Sequence, residues 1–355
     1  GGDARRGAVE AALAKALAAS IFNDGGNVAR APTAQVDIIM LLTALREVYV
    51  ARRLEAPASI DTALATLVPA LLGICHADRD LSSWQGGGPI GAEALEQIIA
   101  ASGVRTRPLR QARDWGYQRL AAGTAVAILD AAPPPIARLV EGGCASTLAF
   151  ELSDGPNRLV VNCGGARTGI VQLPAALSEG LRTTAAHSTL IVGDSNSTAI
   201  HADGTLGRGV AEVELARQES DAGSRIEASH DGYARRFGFL HRRQLVLAAD
   251  GRELRGEDML LPATKRRKLS STGFAIRFHL GLGVQVSPTA DGLAALLRLP
   301  GGGLWQYRCR GGTLAIEESV WIDAEGRPHA TMQLVVSGGS PAGGASVSWA
   351  FKRAG

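Results

Sequence analysis

At 355 residues the chain is long enough to bury a large core and to hold about two domains. A formal net charge of +3 gives no global basic field of the kind a nucleic-acid binder needs, and no stretch approaches the ~20 apolar residues of a membrane helix. Four widely spaced cysteines without a CxxC pair do not make a disulfide scaffold and read as reduced and mostly buried.

The first part of the chain reads as helical. Residues 8–22 are rich in alanine and leucine and run into Asn23-Asp24-Gly25-Gly26, a helix-stop and turn signal. From 33 to 54, Val36, Ile39, Met40, Thr43 and Leu45 fall near helical spacing. A third helix is predicted over 59–74, with Ser59 and Asp61 as cap residues, and a fourth over 91–101. After Arg113 the pattern changes. Residues 115–120 and 124–130 read as strands joined by Ala121-Ala122-Gly123, and Pro133-Pro134-Pro135 as a stiff surface connection. From Leu148 onward short strands alternate with Asp154-Gly155, Asp250-Gly251, Asp291-Gly292 and Glu325-Gly326, the spacing of an antiparallel sandwich. The expectation is a helical domain over 1–112 followed by a β-sandwich domain over 113–355.

Some signatures are missing. Gln85-Gly86-Gly87-Gly88-Pro89 lacks the Lys-Ser/Thr of a phosphate loop, and there is neither a GxSxG elbow nor an HExxH helix. What stands out is one inter-helix loop, Cys75-His76-Ala77-Asp78-Arg79-Asp80 with Trp84-Gln85-Gly86. A histidine, carboxylates, an aromatic and an amide suit a saccharide: Trp84 to stack on a ring, Gln85 to bond a carboxylate, His76 as acid or base, Asp78 beside them. The alternative is a helix-terminal loop with capping polar groups.

In the sandwich, Tyr233 and Arg236 either face a cleft or stitch a sheet edge. Arg277 and His279 share one face of a strand, opposite Ile276, Phe278 and Leu280, and that polar face meets water by default. Glu257-Asp258 reads as turn chemistry, and Lys265-Arg266-Arg267-Lys268 as a solvated basic loop.

Several blocks resemble the heparinase II/III-like polysaccharide lyases: Leu148-Ala149-Phe150-Glu151-Leu152-Ser153, Asn162-Cys163-Gly164, Thr184-Ala185-Ala186-His187-Ser188-Thr189-Leu190 and His230-Asp231-Gly232-Tyr233. Asp24-Gly25-Gly26-Asn27-Val28-Ala29-Arg30-Ala31-Pro32 is similar to a turn of that family's helical part. The resemblance implies an α+β multidomain protein, with a partial α/α toroid of helical hairpins followed by an antiparallel β-sandwich. It implies β-elimination at a uronic acid, in which a neutraliser masks the carboxylate and a tyrosine or histidine removes the C5 proton. The candidate catalytic residues are then His76, Tyr233 and His187, with Asp78, Trp84, Gln85 and Arg236 as substrate-binding residues. The partner implied is an acidic polysaccharide or oligosaccharide, and the location a cell envelope or periplasm, although no export segment is visible here.

The resemblance also implies zinc, held at His187 and at Cys144, which stands where the family has its first metal histidine. Hydrogen bonding within the core is the other reading of His187. Three positions depart from the family pattern: Gly142 in place of a catalytic histidine, Ala34 of a tyrosine and Asn162 of a metal aspartate. They favour a rival reading, a carbohydrate-binding or cell-envelope scaffold of the same fold that has lost the chemistry. Burial of Trp84 and Tyr233, in place of a groove-lining position, would favour a structural interaction module.

Overall fold

A computed structural model describes residues 2–136, 142–165, 171–263 and 271–354. The basic run 265–268 lies outside the described residues. Four helices come first: α1 (Gly2–Ser20), α2 (Pro32–Ala51), α3 (Ala58–Gly73) and α4 (Ala92–Ala101). α3 is the centre of this layer because Ile60, Leu64, Leu67, Val68 and Leu71 recur at three- and four-residue spacing and are buried. α2 brings Val36, Ile39 and Leu42 against it, whereas α1 contributes only Leu13 and Leu17. Among the described residues these helices form a small stack on one sheet face and no closed ring of hairpins. The expected side-chain cap of α3 is replaced by Pro57, which makes no side-chain cap, and Asp61 pairs with Arg46 at 3.3 Å.

Two eight-stranded antiparallel sheets follow. The first runs β1 (Tyr117–Ala122), β2 (Ala125–Asp130), β3 (Phe150–Asp154), β4 (Asn157–Val161), β10 (Thr272–Leu280), β15 (Pro328–Ser340) and β14 (Thr313–Ile322), with β5 (Leu190–Val192) paired to β10. The second runs β11 (Gln285–Pro288), β12 (Ala294–Arg298), β13 (Leu304–Arg310), β16 (Ala345–Arg353), β9 (Glu253–Pro262), β8 (Phe239–Ala248), β7 (Gly223–His230) and β6 (Val213–Ser220). Two short helices, α5 (Ala175–Gly180) and α6 (Ala234–Phe237), sit in the connections. Asp154-Gly155, Asp250-Gly251, Asp291-Gly292 and Glu325-Gly326 each fall at a hairpin, with the glycine at positive φ.

The sheets close on an aromatic core in which the Phe150 and Trp349 rings stack 5.3 Å apart and Phe278, Tyr307 and Phe351 pack around them. β2 is buried along its whole length. Ala125, Ala127 and Leu129 face the sandwich interior, and Val126 and Ile128 face the helices with Trp115 and Tyr117. The helical core therefore continues across residue 112 onto the outer face of the first sheet.

All four cysteines are buried, and none forms a disulfide among the described residues. Two local expectations are corrected. Asp258 lies mid-strand in β9, not in a turn, and is fully buried. His279 does not meet water: its Nε2 reaches the Ala185 carbonyl at 2.9 Å and its Nδ1 the Ser319 hydroxyl at 2.7 Å, beneath the connection that covers β10.

Candidate functional site

The loop between α3 and α4 folds back on itself. The His76 amide donates to the Asp80 carbonyl, and the Asp80 carboxylate accepts from the amides of Leu81, Ile90 and Gly91. This presses the loop onto β3 and β4. His76 is buried, with Nε2–H donating to Glu151 Oε2 and Nδ1 accepting from the Ser153 hydroxyl, both at 2.9 Å. Burial lowers the imidazole pKa, and the hydrogen bond to Glu151 opposes that without reversing it. His76 is therefore a neutral ring with both nitrogens committed.

Glu151 Oε1 accepts from the amides of Ser83 and Asn162 at 3.0 and 3.1 Å and from Asn162 Nδ2 at 3.0 Å. Asn162 Oδ1 in turn accepts from the Ser188 amide at 2.9 Å. A parallel chain runs beside it. Gln85 Nε2 donates to Ser146 Oγ at 2.9 Å, Ser146 to Asp130 at 2.8 Å, and Arg30 closes on Asp130 at 2.5 Å. The Cys144 amide donates to Gln85 Oε1. Trp84 is buried against Tyr117, ring centroids 5.3 Å apart, and its Nε1 donates to Ser82 Oγ at 2.6 Å. Asp78 is half-buried and pairs with Arg158 at 2.7 Å; burial alone would raise its carboxyl, but the guanidinium holds it below the usual range. The loop residues expected to bind saccharide thus meet one another and the sheet, in a buried polar seam.

The Asp24 turn belongs to the same joint. Its carboxylate accepts from the amides of Asp114 and Trp115 at 2.7 and 2.9 Å, and Arg30 donates to the Trp115 and Pro133 carbonyls. A Cβ on Gly26 would lie 2.0 Å from Trp115 Cγ, so only glycine fits there. Ala34 lies beyond this turn, near the start of α2.

The sandwich residues sit elsewhere. Tyr233 is buried, its hydroxyl donating to the Leu190 carbonyl at 2.9 Å, and burial raises its phenol above the ordinary value. His187 is buried with Nδ1–H donating to the Thr183 carbonyl at 2.7 Å, and burial lowers its pKa. Arg236 is exposed, its guanidinium 5.2 Å from the Phe237 ring. With Arg208, Arg235 and Asp194 it lines a groove of about 680 Å³.

Zinc does not fit this arrangement. Among the described residues no group of three His, Cys, Asp or Glu side chains could hold a metal. Asn162 spends both amide atoms on core partners. The Cys144 thiol has a 3.8 Å contact with the Gly142 carbonyl.

A second buried network joins His230 and His241, both in the segment that resembles the family, to Asp258, read from sequence as a turn residue, and to Arg243, which sequence reading passed over. The Gly232 amide donates to His230 Nδ1 at 3.0 Å, which fixes the tautomer: His230 Nε2–H donates to His241 Nδ1 at 3.2 Å, and His241 Nε2–H to Asp258 at 2.7 Å. Asp258 also takes Arg243 at 2.8 Å and Trp349 Nε1 at 2.8 Å. Arg243 reaches across to the Leu148 and Ser188 carbonyls, both at 2.7 Å, and so pins the second sheet to the first. For Arg243 and Asp258 the available signal was an arginine and an acid at inward positions of alternating strands.

The helix-capped sandwich of two antiparallel sheets is similar in fold to solved heparinase structures. The family model for the heparinase II/III-like C-terminal domain matches residues 104–350, and the chain belongs to that family. It is similar to solved structures of heparinase III (TM-score 0.76, 11% identity, 96% of this chain and 54% of that one) and of a heparan sulfate lyase HepC mutant from Pedobacter heparinus (TM-score 0.75, 13% identity, 97% and 55%). Among curated proteins it is 30% identical over 365 residues to FtsZ-localized protein C of Caulobacter vibrioides, covering 97% of this chain and 60% of that protein. The chain thus spans a little over half the length of the proteins it resembles. Among the described residues no helix is long and apolar enough to cross a membrane.

Proposed function

We infer that this protein is an interaction scaffold built on the heparinase fold, working with the bacterial division machinery, and not an eliminating lyase. The observation that carries this reading is the burial of Trp84 and Tyr233, with the indole N–H and the phenol O–H both donated to the protein itself. A stacking platform must present its face, and a base must reach the C5 proton. His76 and His187 are likewise enclosed. Gly142 and Asn162 have no acid–base group to offer in their place. The division-machinery half of the reading is supported by the relative named for its localisation with FtsZ.

The test is an elimination assay of the intact protein on a panel of uronic-acid polysaccharides, followed by ultraviolet absorbance of the unsaturated product. No absorbance on any polymer is expected. An elimination signal from the intact protein that is lost in Tyr233→Phe while that variant stays folded would restore the lyase reading. A fluorescent fusion should gather at the division site; a uniform envelope or periplasmic signal counts against the division role.

One observation favours a second reading, retention of an acidic polysaccharide without cleavage. Arg208, Arg235 and Arg236 are exposed around a single groove, with Asp194 as its one acidic lining residue. Salt-sensitive binding of a uronic-acid polymer, weakened by Arg208→Gln with Arg236→Gln, would support it.

A further inference from the structure

Beside α4 lies a cavity of about 680 Å³ that none of the residues expected to bind saccharide explains, except that His76 forms part of its wall. Its volume is in the range of small-molecule sites, about 300–1,000 Å³. Leu72, Leu95, Ile99, Val104 and Pro108 make it aliphatic, and Arg119 of β1 enters from the sheet side. Arg119 is half-buried, and among the described residues it has no carboxylate partner; its Nη1 donates to the Cys75 carbonyl. Burial pulls its guanidinium below the usual value. A half-buried arginine with no carboxylate partner leaves a charge at the cavity wall that an entering anion can meet. The one acidic residue lining the cavity, Glu96, is already held by Arg79. A second cation, exposed Arg105, lines the same space.

We propose that this cavity binds an aliphatic carboxylate, a fatty-acyl chain whose tail lies between α3 and α4 and whose head group meets Arg119. A peptide is a poorer occupant, because its backbone would need hydrogen-bond partners. The free side of β1 does not supply them: the Arg119 amide already donates to the Arg110 carbonyl, and Gln118 is bridged to Gln111. The Cys75 thiol in the wall donates to the Leu71 carbonyl and is pushed up to about 12 by burial, so it offers surface and not a nucleophile. The inference is independent of the scaffold reading.

The experiment is calorimetric titration of the intact protein with dodecanoate and, separately, with dodecanol. Dodecanoate should bind one to one and at least about tenfold more tightly than the alcohol, the worth of one charge-assisted contact. Arg119→Gln should abolish that preference while leaving dodecanol unchanged. Ala100→Trp, which fills the exposed lip and alters no charge, should abolish both. If Arg119→Gln does not fold, Arg119→Lys keeps the charge and should retain a reduced preference for the acid. Absence of saturable dodecanoate binding, or an undiminished acid preference in either Arg119 variant, would overturn the proposal.

Discussion

His76 Nε2 lies 2.9 Å from the Glu151 carboxylate, across a separation of 75 residues. The contact ties the loop between two helices to an interior strand of the first sheet. Ser153 on the same strand satisfies the other ring nitrogen, so the imidazole is a bracket with two fixed ends.

Removing the bracket should therefore be a stability event. His76→Ala leaves Glu151 Oε2 and the Ser153 hydroxyl without their buried partner, although Oε1 keeps three donors. The expected cost is about 2–4 kcal/mol, read from urea denaturation. A variant within about 0.5 kcal/mol of wild type would contradict the account.

Acid should unfold this protein early. His76, His187, His230, His241 and His279 are all buried with pKa values lowered by desolvation, His279 to about 3. Each is neutral in the fold but takes up a proton in the unfolded chain below about pH 6.5. Their contribution is complete above that pH and is lost as pH falls toward the folded values, at up to about 1.4 kcal/mol per pH unit for each. Asp78 and Asp258, lowered by their arginine partners against a burial that alone would raise them, add a further loss below about pH 3.9. Chemical denaturation at stepped pH should show stability falling between about pH 6.5 and pH 5; a flat profile there would show the histidines to be solvated.

Restoring the family's acidic residue should harm, not help. Asn162→Asp removes the donation to Glu151 and sets a second carboxylate against it, so a loss of about 3–5 kcal/mol is expected. Zinc should not rescue that variant, and a chelator should leave the wild-type Tm unchanged. A zinc-dependent rise in Tm would show that a metal site had been reached.

The two aromatic residues should behave as core. Trp84→Ala should cost about 3–5 kcal/mol, while Trp84→Phe, which forfeits chiefly the bond to Ser82, should cost about 1 kcal/mol. Tyr233→Phe should likewise cost about 1 kcal/mol and leave polysaccharide affinity unaltered.

The helices and hairpins were legible because local patterns specify them: three- and four-residue spacing in α3, Asp-Gly turns between alternating strands. Roles for single polar residues were not legible locally. His76 in a loop looks the same whether its partner is a substrate or Glu151, and the partner is settled by chain folding over 75 positions. Asp258 beside Glu257 imitates a turn because Arg243 and His241 lie on the neighbouring strand, 15 and 17 residues away. Glu151 carried a local clue: an acid inside Leu148-Ala149-Phe150-Glu151-Leu152 has to find donors indoors.

β2 is a party wall, with Ala127 and Leu129 on one side and Val126 and Ile128 on the other. Cutting the chain before Arg113 would strip the helices from Val126, Ile128, Trp115 and Tyr117 and hand that apolar face to water. The amides of β2 should accordingly be among the last to exchange with deuterium. A gene fragment encoding the sandwich alone should yield insoluble protein, so the two layers are expected to stand or fall as one folding unit.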